Sequence, residues 1–101
     1  MNGNFHQLIS GEVPVLIDFY ADWCEPCKTL SPILKETKSA LGDKIKILKI
    51  DVDKNGSLAR KYSIQSMPTL VMFRNGEEIW RRSGVLPKNE LVQEVESRIE
   101  G

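Results

Sequence analysis

An almost unbroken apolar run from Pro14 to Ala21 constrains the fold of this chain more than any other stretch. The run is rich in valine, isoleucine and aromatic residues, and it lacks the regular apolar–polar alternation of a strand with one solvent-facing side. A strand with this composition is covered on both faces. We therefore predict that residues 14–21 form a central parallel strand of an α/β sheet.

The segment after this run has the pattern of a helix followed by a second strand. Apolar side chains recur on one helical face and charged side chains on the other. The apolar set is Leu30, Ile33, Leu34 and Leu41, and the charged set is Lys28, Lys35, Glu36 and Lys38. Pro32 interrupts the helix and predicts a kink, because proline removes one intrahelical hydrogen bond. Lys44 to Asp53 then predicts a strand parallel to the first, joined to it by a right-handed crossover.

Two short helices are predicted outside this β-α-β unit. The first is amphipathic and ends at Ser10-Gly11. Its apolar residues are Phe5, Leu8 and Ile9. The second spans Asn55 to Tyr62, with Asn55 or Ser57 as its N-cap.

The last third of the chain predicts a β-hairpin and a closing helix. Thr69 to Phe73 and Glu78 to Arg82 flank Asn75-Gly76, the dipeptide that most strongly favours a two-residue hairpin turn. These two strands are expected to be antiparallel. Pro87 suits the first position of a helix. The apolar residues of that helix are Leu91, Val92, Val95 and Ile99.

Both cysteines of the chain lie two residues apart, where the first strand gives way to the long helix. A thiol at a helix N-terminus is favoured as a thiolate by unpaired amides and by the helix dipole. Cys24 is therefore the expected nucleophile. Cys27, one turn further on, is placed to attack a mixed disulfide at Cys24 and release the substrate thiolate.

Other roles for this cysteine pair are less well supported. A structural zinc site needs four ligands, and the cysteine and histidine supply is Cys24, Cys27 and His6. We therefore predict no metal. A purely structural disulfide is also disfavoured, since so short a loop constrains the unfolded chain little.

Length and charge limit the classes of function. The 101 residues correspond to a single domain, 1–101. With 14 basic and 14 acidic residues, the chain has no net charge to attract nucleic acid or an acidic membrane. The first residues lack a leader pattern, and a lone cysteine pair suits a reducing compartment. We expect a cytoplasmic protein, an expectation that removal of an export signal would weaken.

Asp18 is a carboxylate inside the apolar run. Burial there raises the expected pKa of its side chain, because an unpaired charge is costly away from water. One interpretation is a proton acceptor or donor for Cys27. The other is an edge carboxylate satisfied by backbone amides, and the flanking residues alone do not decide between them.

The stretch from Val15 to Lys28, with its Trp23-Cys24-Glu25-Pro26-Cys27 motif, resembles thioredoxin, as do Met67-Pro68-Thr69 and Gly84. The resemblance extends from about Phe5 to the C-terminus. It implies a thioredoxin-like fold, three-layer α/β/α with a central mixed sheet of about four strands. The first family strand is expected to be missing, because too few residues precede Gly11 to hold it and a helix.

The resemblance also implies roles for individual residues. Asp18 would be buried near Cys27, with Lys49 of the next strand close to it, although a solvated strand lysine is equally compatible. Pro68 would follow a cis peptide bond and face the cysteines, and Met67 would offer its backbone to a substrate peptide as an added strand. Gly84 would permit close backbone approach. The implied substrate-binding residues are Trp23, Glu25, Pro26, Met67, Pro68, Gly84 and Val85.

Two residues depart from the family pattern on this surface. Glu25 and Ser66 stand where thioredoxins usually have glycine. A carboxylate beside Cys24 opposes its thiolate, whereas an acid in the first helical turn is stabilised by the dipole. Ser66 is expected to narrow or repolarise the peptide groove and so to affect substrate range, not the fold.

The resemblance implies a protein-disulfide reductase that works as a monomer on disulfide-containing proteins. It would need no bound cofactor and would be reduced by thioredoxin reductase, a flavin enzyme that uses NADPH. One alternative is a disulfide oxidant or isomerase, since thiolate stability and the dipeptide between the cysteines set the direction of exchange. Another is a non-catalytic thioredoxin-like module that binds a protein.

Overall fold

The computed structural model describes residues 2–100 and contains four α-helices and four strands. The elements follow in the order α1 (Asn2–Ile9), β1 (Val15–Tyr20), α2 (Glu25–Leu41), β2 (Lys46–Asp51), α3 (Gly56–Lys61), β3 (Thr69–Arg74), β4 (Glu77–Ser83) and α4 (Lys88–Glu100). A short 3₁₀ turn, Gly42–Lys44, links α2 to β2. No helix of the described stretch is both long and apolar enough to cross a membrane.

The strands form one mixed sheet in the order β2-β1-β3-β4. β1 is parallel to β2 and antiparallel to β3, while β3 and β4 form an antiparallel hairpin. The predicted β-α-β unit, hairpin and four-stranded mixed sheet are therefore confirmed. In this register Asp18 lies opposite Lys49 on one side and Leu70 on the other.

Helices cover both faces of the sheet, so the molecule has three layers with an apolar core on each side. Successive strand residues point to opposite faces, and β1 accordingly sends Leu16 into one core and Val15, Ile17 and Phe19 into the other. The first core receives Leu30 and Leu34 of α2 and Leu91 and Val95 of α4, together with Trp80 of β4. The second receives Phe5 and Ile9 of α1 and Leu58 of α3.

The hairpin turn has the geometry that its sequence predicts. Asn75 and Gly76 both have positive φ, at 53° and 82°, as a type I′ turn requires. Their amides donate to the carbonyls of Gly11 and Ile9, each at 2.9 Å. The turn is thereby attached to the end of α1, which holds that helix against the sheet.

Local details differ from the predictions at several points. Leu8 is 47% exposed although Phe5 and Ile9 of the same helix are buried, so the apolar face of α1 is narrower than predicted. α2 runs continuously from Glu25 to Leu41 with Pro32 inside it, and the kink at Pro32 stays a prediction. Asn55 occupies the N-cap position of α3, but its side chain donates to the Asp51 carbonyl at 3.0 Å rather than capping the helix. α4 begins at Lys88, one residue after Pro87.

Candidate active site

The cysteine pair lies where the chain leaves β1 and enters α2. Cys24 is the N-cap of α2, in an extended backbone conformation, and Pro26 occupies the first helical turn. The two cysteines form a disulfide with their Cα atoms 5.3 Å apart, and each residue is only 4% exposed. The Cys27 amide donates to the Cys24 Sγ at 3.2 Å. An amide donor and a helix N-terminus at this sulfur stabilise a thiolate there once the bond is reduced.

Asp18 is the most unusual polar residue of the core. It is 0% exposed, and neither carboxylate oxygen accepts a hydrogen bond from the residues that the structure describes. It lies on a central strand, so the alternative of an amide-satisfied edge carboxylate is wrong. Burial raises the pKa of Asp18 from 3.8 to about 6, and the charge of Lys49 acts in the opposite direction.

Asp18 is also on the correct side of the sheet to act with Cys27. Side chains at alternate strand positions share a face, so Asp18 points to the same side as Leu16. Leu16 packs in the core beneath α2 and α4. The carboxyl group therefore lies on the face of the sheet that α2 and α4 cover. Its proximity to Cys27, which the resemblance implies, stays a prediction.

Lys49 lies opposite Asp18 in the β1–β2 pairing, but its ammonium group is bound elsewhere. The Nζ atom lies over the ring of Tyr20, 4.6 Å from the ring centroid, and donates to the Ser31 Oγ at 3.3 Å. These side chains border a cavity of about 240 Å³ that also reaches Cys27. Lys49 is thus neither fully solvated nor hydrogen-bonded to the carboxylate.

The second segment of the site is the loop before β3. The Met67–Pro68 bond is cis, as the resemblance implied, and half-buried Met67 packs against the cluster that holds both cysteines. The Gly84 amide donates to the Pro68 carbonyl at 2.9 Å, which ties the end of β4 to this loop. Gly84 has φ of 89°. A Cβ built there would meet no described atom within 4 Å, so within the chain itself glycine is required by this φ rather than by close approach.

The rim of the site is exposed and carries both apolar and charged groups. Trp23 is 66% exposed, and its indole Nε1 donates to Asp53 Oδ2 at 2.9 Å. Val85 is 38% exposed. Glu25 forms an ion pair with Lys28 at 3.0 Å, so the carboxylate next to Cys24 already has a cationic partner.

Three residues of the site were missed by the sequence analysis. The positions of Tyr20 and Ser31 could have been recognised from the sequence. Tyr20 is two residues beyond Asp18 on the same strand face, and Ser31 is one helical turn beyond Cys27. Asp53 has only its position just after β2. The carboxyl ends of parallel strands share one edge of a sheet, which places it near the segment after β1. Within residues 2–100 there is no group of three or more potential metal-ligating side chains.

Comparison with known proteins agrees with this geometry. The thioredoxin family model matches residues 1–97. Chloroplastic thioredoxin Y of Oryza sativa subsp. japonica is 47% identical over 98 residues, covering 96% of this chain and 58% of the rice protein. A thioredoxin-like protein of Synechocystis sp. is 44% identical over 94 residues, covering 92% of this chain and 90% of that protein.

The fold comparison gives the same result. The crystal structure of a Malassezia sympodialis thioredoxin superposes with a TM-score of 0.87 at 34% sequence identity, covering 96% of this chain and 87% of that one. The chain spans little more than half the length of the rice relative, whereas it covers nearly all of the cyanobacterial one. It belongs to the thioredoxin family.

Proposed function

We propose that this protein reduces disulfide bonds of other proteins by dithiol–disulfide exchange. The observation that carries the proposal is the buried Cys24–Cys27 disulfide at the N-terminus of α2, on the side of the sheet that holds the unpaired carboxyl of Asp18. The helix N-terminus stabilises a thiolate at Cys24. A buried carboxyl group with a raised pKa can accept the proton of the second thiol, and a purely structural disulfide has no use for such a group.

The reaction starts from the reduced pair. The Cys24 thiolate attacks one sulfur of the substrate disulfide, and the other substrate sulfur leaves as a thiolate and takes a proton from water. Asp18, as the carboxylate, accepts the proton of the Cys27 thiol. The Cys27 thiolate then attacks the Cys24 sulfur and expels the second substrate thiolate. Two electrons have passed to the substrate, and the Cys24–Cys27 disulfide remains.

The surface around Cys24 suits an extended peptide. Trp23 and Val85 provide exposed apolar area, and Met67 precedes the cis peptide bond beside the cysteines. A substrate segment would lie along the Met67–Pro68 backbone as an added strand, with Gly84 at its edge. Glu25 and its partner Lys28 border the same surface and would select among substrates by charge.

Other parts of the proposal concern the cell. The oxidised protein would be reduced by thioredoxin reductase, with NADPH as the electron source, and the chain itself would bind no cofactor. It would act as a single-domain monomer on disulfide-containing proteins in the cytoplasm. The name of the rice relative assigns that longer protein to the chloroplast. Fractionation of the source cells would decide the compartment.

The test is reduction of insulin disulfides with dithiothreitol as the electron donor. Wild type should accelerate the reaction, and Cys24→Ser should abolish the acceleration. Cys27→Ser should accumulate a mixed disulfide between Cys24 and insulin, which mass spectrometry of the intact adduct would detect. If wild type cycled its own disulfide but did not accelerate insulin reduction, the reductase proposal would fail and a binding module would be the better description.

The reduction potential separates a reductase from an oxidant or isomerase. Equilibration in graded thiol–disulfide buffers should give one transition at about −270 mV, the value typical of thioredoxin. A midpoint of about −180 to −120 mV would assign the protein to disulfide formation or isomerisation instead.

A further inference from the structure

Lys49 borders the cavity that reaches Cys27, and two other lining side chains, Tyr20 and Ser31, restrain its ammonium group. The proposed reaction gives Tyr20 and Ser31 no role. The Lys49 ammonium lies 4.6 Å from the Tyr20 ring centroid and 3.3 Å from the Ser31 hydroxyl oxygen. Tyr20 itself packs against the cluster of Ala21, Cys24 and Cys27. The restraint is therefore built from the same elements, β1 and α2, that carry Asp18 and the cysteines.

An unrestrained lysine here would extend into water. Lys49 is an exposed residue of an edge strand, and its flexible stem loses rotamer freedom when the ammonium group is held in place. A cation over an aromatic face and a hydroxyl acceptor offset that loss. Asp18 does not hold the ammonium group, because neither of its oxygens has a hydrogen-bond partner in the described part of the chain.

Of the two residues paired with Asp18 in the sheet, one is charged. β2 contributes Lys49, whereas β3 places the uncharged Leu70 opposite the carboxyl. The other charged residues bordering the cavity are Asp22 and Lys28. Burial and the Lys49 charge are the two causes that act on the pKa of Asp18, in opposite directions. The distance of the ammonium group from the carboxyl therefore decides how far the effect of burial is offset.

We propose that Ser31 and Tyr20 are positioning residues that hold the Lys49 ammonium at the cavity shared with Cys27 and so set how readily Asp18 exchanges a proton. The inference rests on the proposed function only for its consequence, which is the rate at which Cys27 resolves the mixed disulfide. Loss of either restraint lets the ammonium group move into solvent. The carboxylate is then less stabilised, and Asp18 holds its proton to higher pH.

The test is a titration of the Asp18 carboxyl by carbon-13 NMR in the oxidised protein. Ser31→Ala should raise the pKa of Asp18 by roughly 0.5, and Lys49→Met should raise it further. In the Lys49→Met background, Ser31→Ala should add nothing, because the two changes act through one charge. Tyr20→Leu should raise the pKa, whereas Tyr20→Phe keeps the aromatic face and should leave it unchanged.

The matched control is Ser39→Ala, which removes an exposed serine hydroxyl from the same helix and should not shift the titration. If Ser31→Ala shifted the pKa equally with and without Lys49, or did not shift it while Lys49→Met did, the inference would be overturned. The pH profile of mixed-disulfide resolution should move with the same variants. The titration needs no turnover, so an expected NMR pattern without insulin reduction would overturn the proposed function alone.

Discussion

The two faces of β1 show how one strand separates stability from chemistry. Val15, Ile17 and Phe19 pack in the apolar core beneath α1 and α3. On the other face, Asp18 and Tyr20 follow Leu16 toward the side of α2 and the cysteines. Neighbouring residues of a strand point to opposite faces, so the core residue Ile17 and the carboxyl residue Asp18 are adjacent in the chain but lie in different environments. The chain can therefore carry a costly buried carboxylate while the opposite face stabilises the fold.

The largest expected effect breaks the apolar face alone. Ile17→Ala, at a residue with 0% exposure, should lower the free energy of unfolding by about 2–5 kcal/mol, through lost burial and the cavity left behind. Urea denaturation of the oxidised protein would measure this. The reduction potential of the folded variant should be unchanged, and a large change in potential would show that the two faces are not separate. Val13→Ala, at a 38% exposed residue, is the control and should change stability by less than about 0.5 kcal/mol.

The next effect removes the charge from the reactive face. A pKa raised from 3.8 to about 6 makes ionised Asp18 destabilising, and at 1.36 kcal/mol per pKa unit the cost is about 3 kcal/mol once the group is fully ionised. The contribution of Asp18 to stability is intact below pH 3.8 and is lost as the pH rises through about 6. Asp18→Asn should therefore match wild type near pH 3 and exceed it by about 3 kcal/mol at pH 8. Equal stability of the two proteins at pH 8 would contradict a raised pKa.

The same group should set the pH dependence of the resolving step. Asp18 accepts a proton only as the carboxylate, so the rate at which Cys27 resolves a mixed disulfide should rise as the pH passes through about 6. Asp18→Asn should lack this rise and be slower at pH 7 by about tenfold or more. Rapid-quench analysis of a preformed mixed disulfide would measure it. Identical pH profiles would remove Asp18 from the mechanism.

The smallest effect concerns the exposed rim. Glu25→Gln removes the charge next to Cys24 but retains the size of the side chain, and the partner Lys28 already offsets that charge at 3.0 Å. The fraction of Cys24 present as thiolate at neutral pH should rise slightly, and stability should change by less than about 1 kcal/mol. Ultraviolet absorbance of the thiolate would report the fraction, with Glu36→Gln on the exposed side of α2 as control. An unchanged or smaller fraction would count against an effect of Glu25 on Cys24.

Sequence patterns predicted the fold well where a local rule determines the structure. The continuous apolar run identified β1, and Asn75-Gly76 identified the hairpin because both positions need positive φ. Local rules were weaker at element ends. Asn55 used its side chain on a carbonyl rather than on the helix it precedes, and α4 begins one residue after Pro87.

The active site was predictable only in part. The cysteine spacing and the charge of Asp18 within an apolar run are visible in the sequence. Whether Asp18 lay on an edge strand or on a central strand depended on β3, which is distant in sequence and pairs with the second edge of β1. The contacts of Lys49 with Tyr20 and Ser31 likewise depend on how β2 and α2 are placed relative to β1, and no local pattern encodes that placement.

The two tryptophans occupy opposite environments, and this has an optical consequence. Trp23 is 66% exposed beside Cys24, whereas Trp80 is 7% exposed within the core beneath α2 and α4. An indole in water emits at longer wavelength than one in an apolar core. The red part of the emission spectrum should therefore report events at the cysteines, and the blue part should report the integrity of the core. One emission scan can thus distinguish reduction of the disulfide from unfolding without an added label.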